Sequence, residues 1–132
     1  MKSFFVDTNY FLRFLIKDIP TQFEEVNKLF EKAALREVYL FSSSVVIFEV
    51  YWVLKSNFGK DKNTIVEFLS ELLTFNVVKF EHGELLKESL TMFKNENVSL
   101  VDAFFVCYAR YCDAEEFASF DHKLLSLWKR VK

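Results

Sequence analysis

Short apolar runs alternate along the chain with longer segments in which apolar residues recur at helical spacing. This alternation is typical of an α/β fold in which helices flank a parallel sheet. The short runs predict strands at residues 3–6, 38–41, 77–80 and 117–120. The helical pattern covers residues 8–17, 21–34, 44–56, 65–73, 84–93, 100–111 and a last segment from residue 121.

Polar residues mark the places where several of these helices begin. Pro20 followed by Thr21-Gln22-Phe23-Glu24 is the pattern of a capping box at a helix N-terminus. Serines at residues 42–44 and at position 99 precede two apolar helices and are expected to cap them. Because the chain has only two Gly and one Pro and no candidate linker, the sequence predicts a single domain over residues 1–132.

Composition indicates a large core and excludes several function classes. Apolar residues make up 52% of the chain, and its seventeen Phe either fill the core or also cover an oligomer interface. The net charge of −2 lacks the basic footprint of a general nucleic-acid binder. Cys107 and Cys112 lack a zinc-binding spacing and are expected to be free, buried thiols. No signal peptide or apolar run of membrane-spanning length is present, so a cytoplasmic protein with no membrane partner is expected.

Four carboxylates stand among apolar residues, where an ionised group without a partner is costly. They are Asp7 after the first predicted strand, Glu49 inside an apolar helix, Asp102 near the start of another, and Asp121 after the fourth predicted strand. Neither Lys nor Arg lies beside the first three in sequence. The pattern therefore predicts one acidic cluster that holds a divalent cation.

The predicted fold brings these acids toward one place, because ligands of such folds bind at the carboxyl ends of the parallel strands. The side chain of Glu49 leans back toward its helix N-terminus, which lies at that edge. Carboxylate oxygens suit Mg²⁺ or Mn²⁺, as one or two ions, and such an ion activates water for attack on phosphorus. Asp7, Asp102 and Asp121 are the predicted ligands, and Glu49 either binds the metal or acts as a general base.

Each acid taken alone also has a simpler explanation. Asp7 and Asp121 suit the N-cap of the helix that follows them, and Asp102 completes a Ser-x-x-Asp capping box. Glu49 has no such role. Two basic residues, Arg13 and Lys123, are candidates for contacting a substrate phosphate, and both also suit a solvated surface.

The motifs resemble those of PIN-domain nucleases, specifically VapC-type toxins of bacterial and archaeal toxin–antitoxin pairs. The resemblance spans residues 4–127 and rests on Phe-Val-Asp7-Thr8-Asn9, Val-Ile-Phe-Glu49-Val, Asp102-Ala103 and Ser119-Phe120-Asp121-x-Lys123-Leu124. It implies a central parallel sheet of four to five strands, the fifth vestigial here because little chain follows the last helix. It also implies a catalytic, metal-binding quartet of Asp7, Glu49, Asp102 and Asp121, supported by Thr8, Asn9 and Ser119.

The resemblance further implies a metal-dependent endoribonuclease that acts on RNA, forms a homodimer and is inhibited by a cognate antitoxin. Aromatic side chains on the helices either contribute to the partner surfaces or belong to the core, and the sequence does not decide which; they are Phe11, Phe14, Phe48, Tyr51 and Trp52. Two alternatives stay open: a non-toxin PIN nuclease of RNA processing, and a catalytically silent PIN-like binding module. An aspartyl-phosphate phosphatase is disfavoured, because it requires a second Asp where this chain has Asn9.

Overall fold

A computed structural model describes residues 1–132 and shows an α/β chain with seven helices and one parallel sheet. The elements in chain order are β1 (Lys2–Phe5), α1 (Thr8–Ile16), α2 (Pro20–Ala34), β2 (Val38–Ser42), α3 (Ser44–Ser56), α4 (Lys62–Thr74), β3 (Val78–Phe80), α5 (Gly83–Asn95), α6 (Leu100–Tyr111) and α7 (His122–Val131). The chain divides into two compact units, Met1–Gly83 and Glu84–Lys132. Every helix falls short of the length and apolar character that a bilayer span requires.

The sheet lies in the first unit, with parallel strands in the order β1-β2-β3. Two backbone hydrogen bonds extend the pairing beyond the strands: the Val6 N–H donates to the Phe41 carbonyl at 2.9 Å, and the Glu81 N–H donates to the Ser42 carbonyl at 3.1 Å. The buried Ser42 hydroxyl also donates to the Val6 carbonyl at 2.7 Å. The carboxyl ends of all three strands are therefore tied together.

The prediction of four to five strands is wrong, since the sheet has three. Residues 117–120 form no ladder. Phe117 packs its ring on Trp128 at a centroid distance of 5.5 Å, while Phe120 is fully exposed. The Ser119 hydroxyl accepts the Asp121 N–H at 3.0 Å, a local bond that competes with strand pairing. These contacts explain why an apolar run of strand-like composition does not become a strand.

Phenylalanine rings fill the core of the first unit. Phe14 and Phe30 have ring centroids 5.0 Å apart, and Phe11 packs on Phe80 at 5.4 Å. Phe75 contacts both Phe14 and Phe30. This cluster joins α1 and α2 to the end of β3 and shows that several of the seventeen Phe serve as core.

Capping explains where most helices of this unit begin, with one correction. Ser43 caps α3 by accepting the Val46 N–H, as the serine cluster predicts. The capping box predicted at residues 21–24 is wrong, because α2 begins at Pro20 and its N-cap, Ile19, makes no side-chain bond. Proline is favoured at the first helical position because its missing N–H would be unsatisfied there in any case.

The second unit has its own small core, formed by Val106 of α6 and by Leu124, Leu127 and Trp128 of α7. The Arg130 guanidinium makes two hydrogen bonds to the Glu96 carboxylate, at 3.0 and 3.2 Å. Both cysteines lie in this unit and both are free. Cys107 is buried as expected, but Cys112 is exposed, because it stands just past the end of α6 as its C-cap.

Ser42 provides a direct test of how the strand ends are held. Replacing it with Ala leaves the Val6 carbonyl without this donor, so we expect Ser42→Ala to lower the free energy of unfolding by about 1–3 kcal/mol. Urea unfolding followed by circular dichroism measures the change. The control is Ser56→Ala, at an exposed serine of α3, which should stay within about 0.5 kcal/mol of the parent. Equal stability of the two variants would contradict this role of Ser42.

Candidate active site

Asp7 follows Val6, whose N–H makes the last backbone bond from β1 to β2, and is the N-cap of α1. Its Oδ1 accepts the Tyr10 N–H at 3.2 Å, which fixes the carboxylate at the carboxyl edge of the sheet. Helix N-termini favour negative charge because their first N–H groups lack partners within the helix. The structure therefore supports the capping explanation of Asp7, and the cap leaves Oδ2 available to a ligand.

Glu49 projects from the second turn of α3 toward the start of α1. Its Oε1 accepts the Thr8 hydroxyl at 3.3 Å, and Thr8 directly follows Asp7. The Glu49 carboxylate does not cap α3, because Ser43 already caps that helix. The structure thus brings Glu49 to the residue beside Asp7, as the tilt of helical side chains leads us to expect.

The expectation that the acids lie against apolar surface is wrong for most of them. Asp7, Glu49 and Asp121 are exposed, and Asp102 is half-buried. The apolar neighbours of Glu49 on its helix face are themselves exposed, Val45 and Trp52 each by 61%. The reason is that α3 is apolar on all sides, so its sequence does not reveal which face meets solvent.

Asp102 and Asp121 occupy helix starts in the second unit. The Asp102 N–H donates to the Ser99 hydroxyl at 3.1 Å, which confirms Ser99 as the cap of α6. Asp121 caps α7 by accepting the Leu124 N–H at 3.2 Å. That these two acids share one site with Asp7 and Glu49 stays a prediction.

The predicted supporting residues and the basic candidates differ in the contacts that their side chains make. Thr8 bonds Glu49 and Ser119 bonds the Asp121 backbone, whereas Asn9 is exposed beside Asp7. Arg13 forms an ion pair with Asp18 at 3.2 Å, and its buried Nε has no hydrogen-bond partner.

Lys123, the other basic candidate, is exposed in the first turn of α7. Contact of Arg13 or Lys123 with substrate stays a prediction.

Sequence reasoning missed a hydrogen bond beside Asp7. The Tyr10 hydroxyl donates to the Glu25 carboxylate of α2 at 2.9 Å. This bond, with burial and the negative charges of Glu25 and Asp7, raises the pKa of the Tyr10 phenol. The pair joins two helices, and no local sequence pattern indicates it.

A second missed acid, Glu81, directly follows β3. The Ser44 hydroxyl and N–H donate to Glu81 Oε1 at 3.0 and 3.3 Å. These bonds hold the pKa of the Glu81 carboxyl below its ordinary value. The rule that selects Asp7, an acid at a strand end, also selects Glu81. Its partners show that it stabilises the start of α3.

Most of the aromatic residues considered for the partner surfaces are buried. Phe11 and Phe14 pack against Phe30 in the core, and Tyr51 is also buried. Phe48 is half-buried, and only Trp52 of the five is exposed. Phe11, Phe14 and Tyr51 therefore belong to the core.

The donor set in the first unit fits a hard divalent cation. Asp7 and Glu49 each use one carboxylate oxygen in a hydrogen bond and keep the other, and Mg²⁺ or Mn²⁺ prefers such oxygens. Neither compact unit alone gathers three His, Cys, Asp or Glu side chains in a metal-binding group. Complete coordination therefore requires waters or further ligands beyond these two acids.

Comparison with known proteins decides the family. The sequence matches the PIN domain over residues 4–129, nearly its whole length. The chain belongs to the PIN domain family. No curated protein and no solved structure matches it.

PIN domains are generally nucleases and typically use divalent metal ions, so membership suggests a nuclease-type function for this PIN domain. The match also includes the positions of all four predicted acids. The parallel sheet flanked by helices is consistent with the PIN fold.

The Ser44–Glu81 contact leads to a prediction about pH. Because the folded-state pKa of Glu81 is lowered, its charge stabilises the protein above the unfolded pKa, about 4.3, and that stabilisation is lost as pH falls through the folded pKa. We expect Glu81→Gln to be less stable than the parent at neutral pH, with a gap that closes in acid. Urea unfolding across a pH series measures it.

The matched control is Glu67→Gln, at an exposed glutamate of α4. This variant should follow the parent at every pH. A gap for Glu81→Gln that stays constant into acid would show that the carboxylate charge is not the cause.

Proposed function

We propose that this PIN domain is a metal-dependent endoribonuclease and that Asp7, Glu49, Asp102 and Asp121 are its catalytic acids. The observation that carries the proposal is the position of Glu49. It is an exposed acid on an otherwise apolar helix, caps nothing, and accepts a hydrogen bond from the residue next to Asp7. An exposed acid that caps no helix and lies next to another candidate acid is itself a candidate for chemistry.

The proposal gives each residue of the first unit a role. Asp7 is held by its cap bond and presents its second oxygen as a metal ligand. The Thr8 hydroxyl orients Glu49, which then either binds the metal or accepts a proton from the attacking water. Asp102 and Asp121 are the remaining proposed ligands.

Mg²⁺ or Mn²⁺, as one or two ions, would supply Lewis-acid activation of water and neutralise charge on the phosphoryl oxygens. The protein contributes fixed orientation. Both Asp7 and Asp121 are anchored at helix N-termini, where the cap bond restricts side-chain rotation. A carboxylate already held in place loses less entropy on binding a cation than a freely rotating one.

A silent binding module is a second candidate, because three of the four acids lie at helix N-termini, where they also serve the fold. Asp7 and Asp121 are caps, and Asp102 lies in a capped first turn. A silent module would need these caps for its fold, whereas Glu49 caps no helix. Loss of activity on changing Glu49 alone therefore distinguishes an enzyme from a binding module.

The proposal extends to a toxin role and to the partners of the protein. The resemblance to VapC-type toxins supports an RNA substrate and a cognate antitoxin. The exposed Val45 and Trp52, on the same face of α3 as Glu49, offer apolar surface that an inhibitory partner would cover. A non-toxin PIN nuclease of RNA processing remains the alternative, and a homodimer stays a prediction.

Cleavage of total cellular RNA with Mg²⁺ or Mn²⁺ tests the chemistry. We expect discrete fragments from the parent and none with EDTA. Glu49→Gln and Asp7→Asn should each lower the rate by at least about a hundredfold, because each removes one carboxylate charge. Mn²⁺ should raise the melting temperature of the parent, since it binds the native state, and Asp7→Asn should lose part of that shift.

The chain offers a matched control for Asp7. Asp61 caps α4 by accepting the Thr64 N–H at 2.8 Å, as Asp7 caps α1. Asparagine caps nearly as well as aspartate, so Asp7→Asn and Asp61→Asn both keep their helices. Asp61→Asn should retain full cleavage. Cleavage that survives in Asp7→Asn and Glu49→Gln would reject the acidic site.

Growth of a bacterial host tests the toxin role separately. Induced expression of the parent without an antitoxin should arrest growth, and expression of Glu49→Gln at an equal level should not. The difference follows because only the parent cleaves host RNA. If the parent cleaves RNA in vitro but leaves growth unchanged, the processing-nuclease alternative replaces the toxin role.

A further inference from the structure

Two cavities adjoin Asp7 in the first unit. The larger has a volume of about 510 Å³ and the smaller about 370 Å³, both within the range of roughly 300–1,000 Å³ typical of ligand sites. Asp7, Tyr10 and Glu25 line both cavities. The Tyr10–Glu25 hydrogen bond therefore forms a ridge between them, with Asp7 reaching both sides.

The larger cavity has an aromatic wall. Phe5 lines it and is 53% exposed. Its ring meets Phe41 edge-on at a centroid distance of 5.7 Å, which supports the ring without covering it. Phe5 also lies on β1, an edge strand, so no further strand of the sheet covers it. A flat apolar ligand would complete the packing.

Two lysines line the same cavity. Lys28 and Lys32 lie one turn apart on α2, so their side chains share a helix face. Neither forms an ion pair. The two lysines offset the Asp7 and Glu25 carboxylates that line the same cavity, and beside an aromatic ring they offer positions for the anionic groups of a flat ligand.

The smaller cavity is polar. Asn9, Arg13 and Gln22 line it together with the three shared residues. All six of these side chains have hydrogen-bonding groups, so this side suits ribose hydroxyls and phosphate oxygens rather than a base face. The two cavities differ in the way that the two parts of a nucleotide differ.

We propose that the larger cavity is a nucleotide subsite in which single-stranded RNA stacks one base on Phe5 and places phosphates against Lys28 and Lys32. The smaller cavity receives the chain as it continues past Asp7. This inference rests on the proposed ribonuclease function and assigns the binding of a substrate nucleotide to Phe5, Lys28 and Lys32. Duplex RNA is disfavoured, because its bases are already stacked within the helix.

Fluorescence anisotropy with labelled single-stranded RNA in EDTA tests the subsite, because binding is then measured without cleavage. Loss of one stacked base or of two phosphate contacts should weaken binding about tenfold, so we expect this for Phe5→Ala and for the pair Lys28→Gln/Lys32→Gln. The lysine pair should also reduce the slope of log affinity against log salt by about 1.4, or about 0.7 per phosphate contact, and Phe5→Ala should not. Phe5→Trp, which keeps an aromatic face, should restore affinity.

Matched controls separate the subsite from general effects. Leu35→Ala removes an apolar side chain that is 71% exposed just past α2, outside both cavities. Lys94→Gln/Lys129→Gln removes the same charge from exposed positions in the second unit. Both should bind RNA like the parent. Circular dichroism and melting temperature check that every variant is folded.

Several outcomes would overturn the subsite, and they differ from those that overturn the nuclease. Affinities of the subsite variants within about twofold of the parent, or losses equal to those of the controls, reject it even if the parent cleaves RNA. Stronger competition by polyglutamate than by unlabelled RNA also rejects it, in favour of an acidic protein partner. If the subsite variants bind RNA more weakly than the parent, but the parent cleaves no RNA, the subsite is supported and the nuclease function is rejected.

Discussion

The buried hydrogen bond from Ser42 to the Val6 carbonyl is the contact on which the arrangement of the first unit's acids depends. It joins the last residue of β2 to the residue before Asp7, where the β1–β2 ladder is ending. Without it the turn into α1 would be held on one side only by the Val6 N–H. Thr8, at the start of α1, in turn bonds Glu49 of α3. The Ser42 hydroxyl therefore helps to position Asp7 and Glu49 relative to each other.

Helix capping and metal binding make compatible demands on an aspartate. A cap uses one carboxylate oxygen to accept a backbone N–H and leaves the other outside the cap bond. The partial positive charge at a helix N-terminus also attracts a negatively charged side chain, and a carboxylate oxygen is a ligand that Mg²⁺ or Mn²⁺ prefers. Asp7 and Asp121 can therefore serve the fold and the chemistry without compromise, and this explains why their environment alone does not reveal a catalytic role. Glu49 is informative because it is exposed and caps no helix.

Local sequence rules predicted the parts of this structure that depend on local interactions. Asp7, Ser43 and Ser99 begin helices because their side chains accept N–H groups three residues away, a bond determined by the sequence itself. The three paired strands and all seven helices follow from apolar periodicity, whereas residues 117–120 have the same periodicity but bond and pack locally. The Tyr10–Glu25 ridge and the open face of α3 required tertiary structure, since each depends on which helix lies opposite. The identities of the candidate acids came from sequence, but their exposure did not.

Both outer strands of the small sheet carry a lysine, Lys2 on β1 and Lys79 on β3, and both lysines are exposed. The edges of a sheet present unpaired N–H and C=O groups that can recruit strands from other molecules. Charged side chains discourage such pairing, because two copies approaching edge to edge would bring like charges together. The aromatic residues exposed on this sheet, Phe5, Tyr39 and Phe41, would otherwise make it prone to aggregate. Two lysines with no place in the proposed chemistry thus help to keep concentrated protein from forming intermolecular sheets.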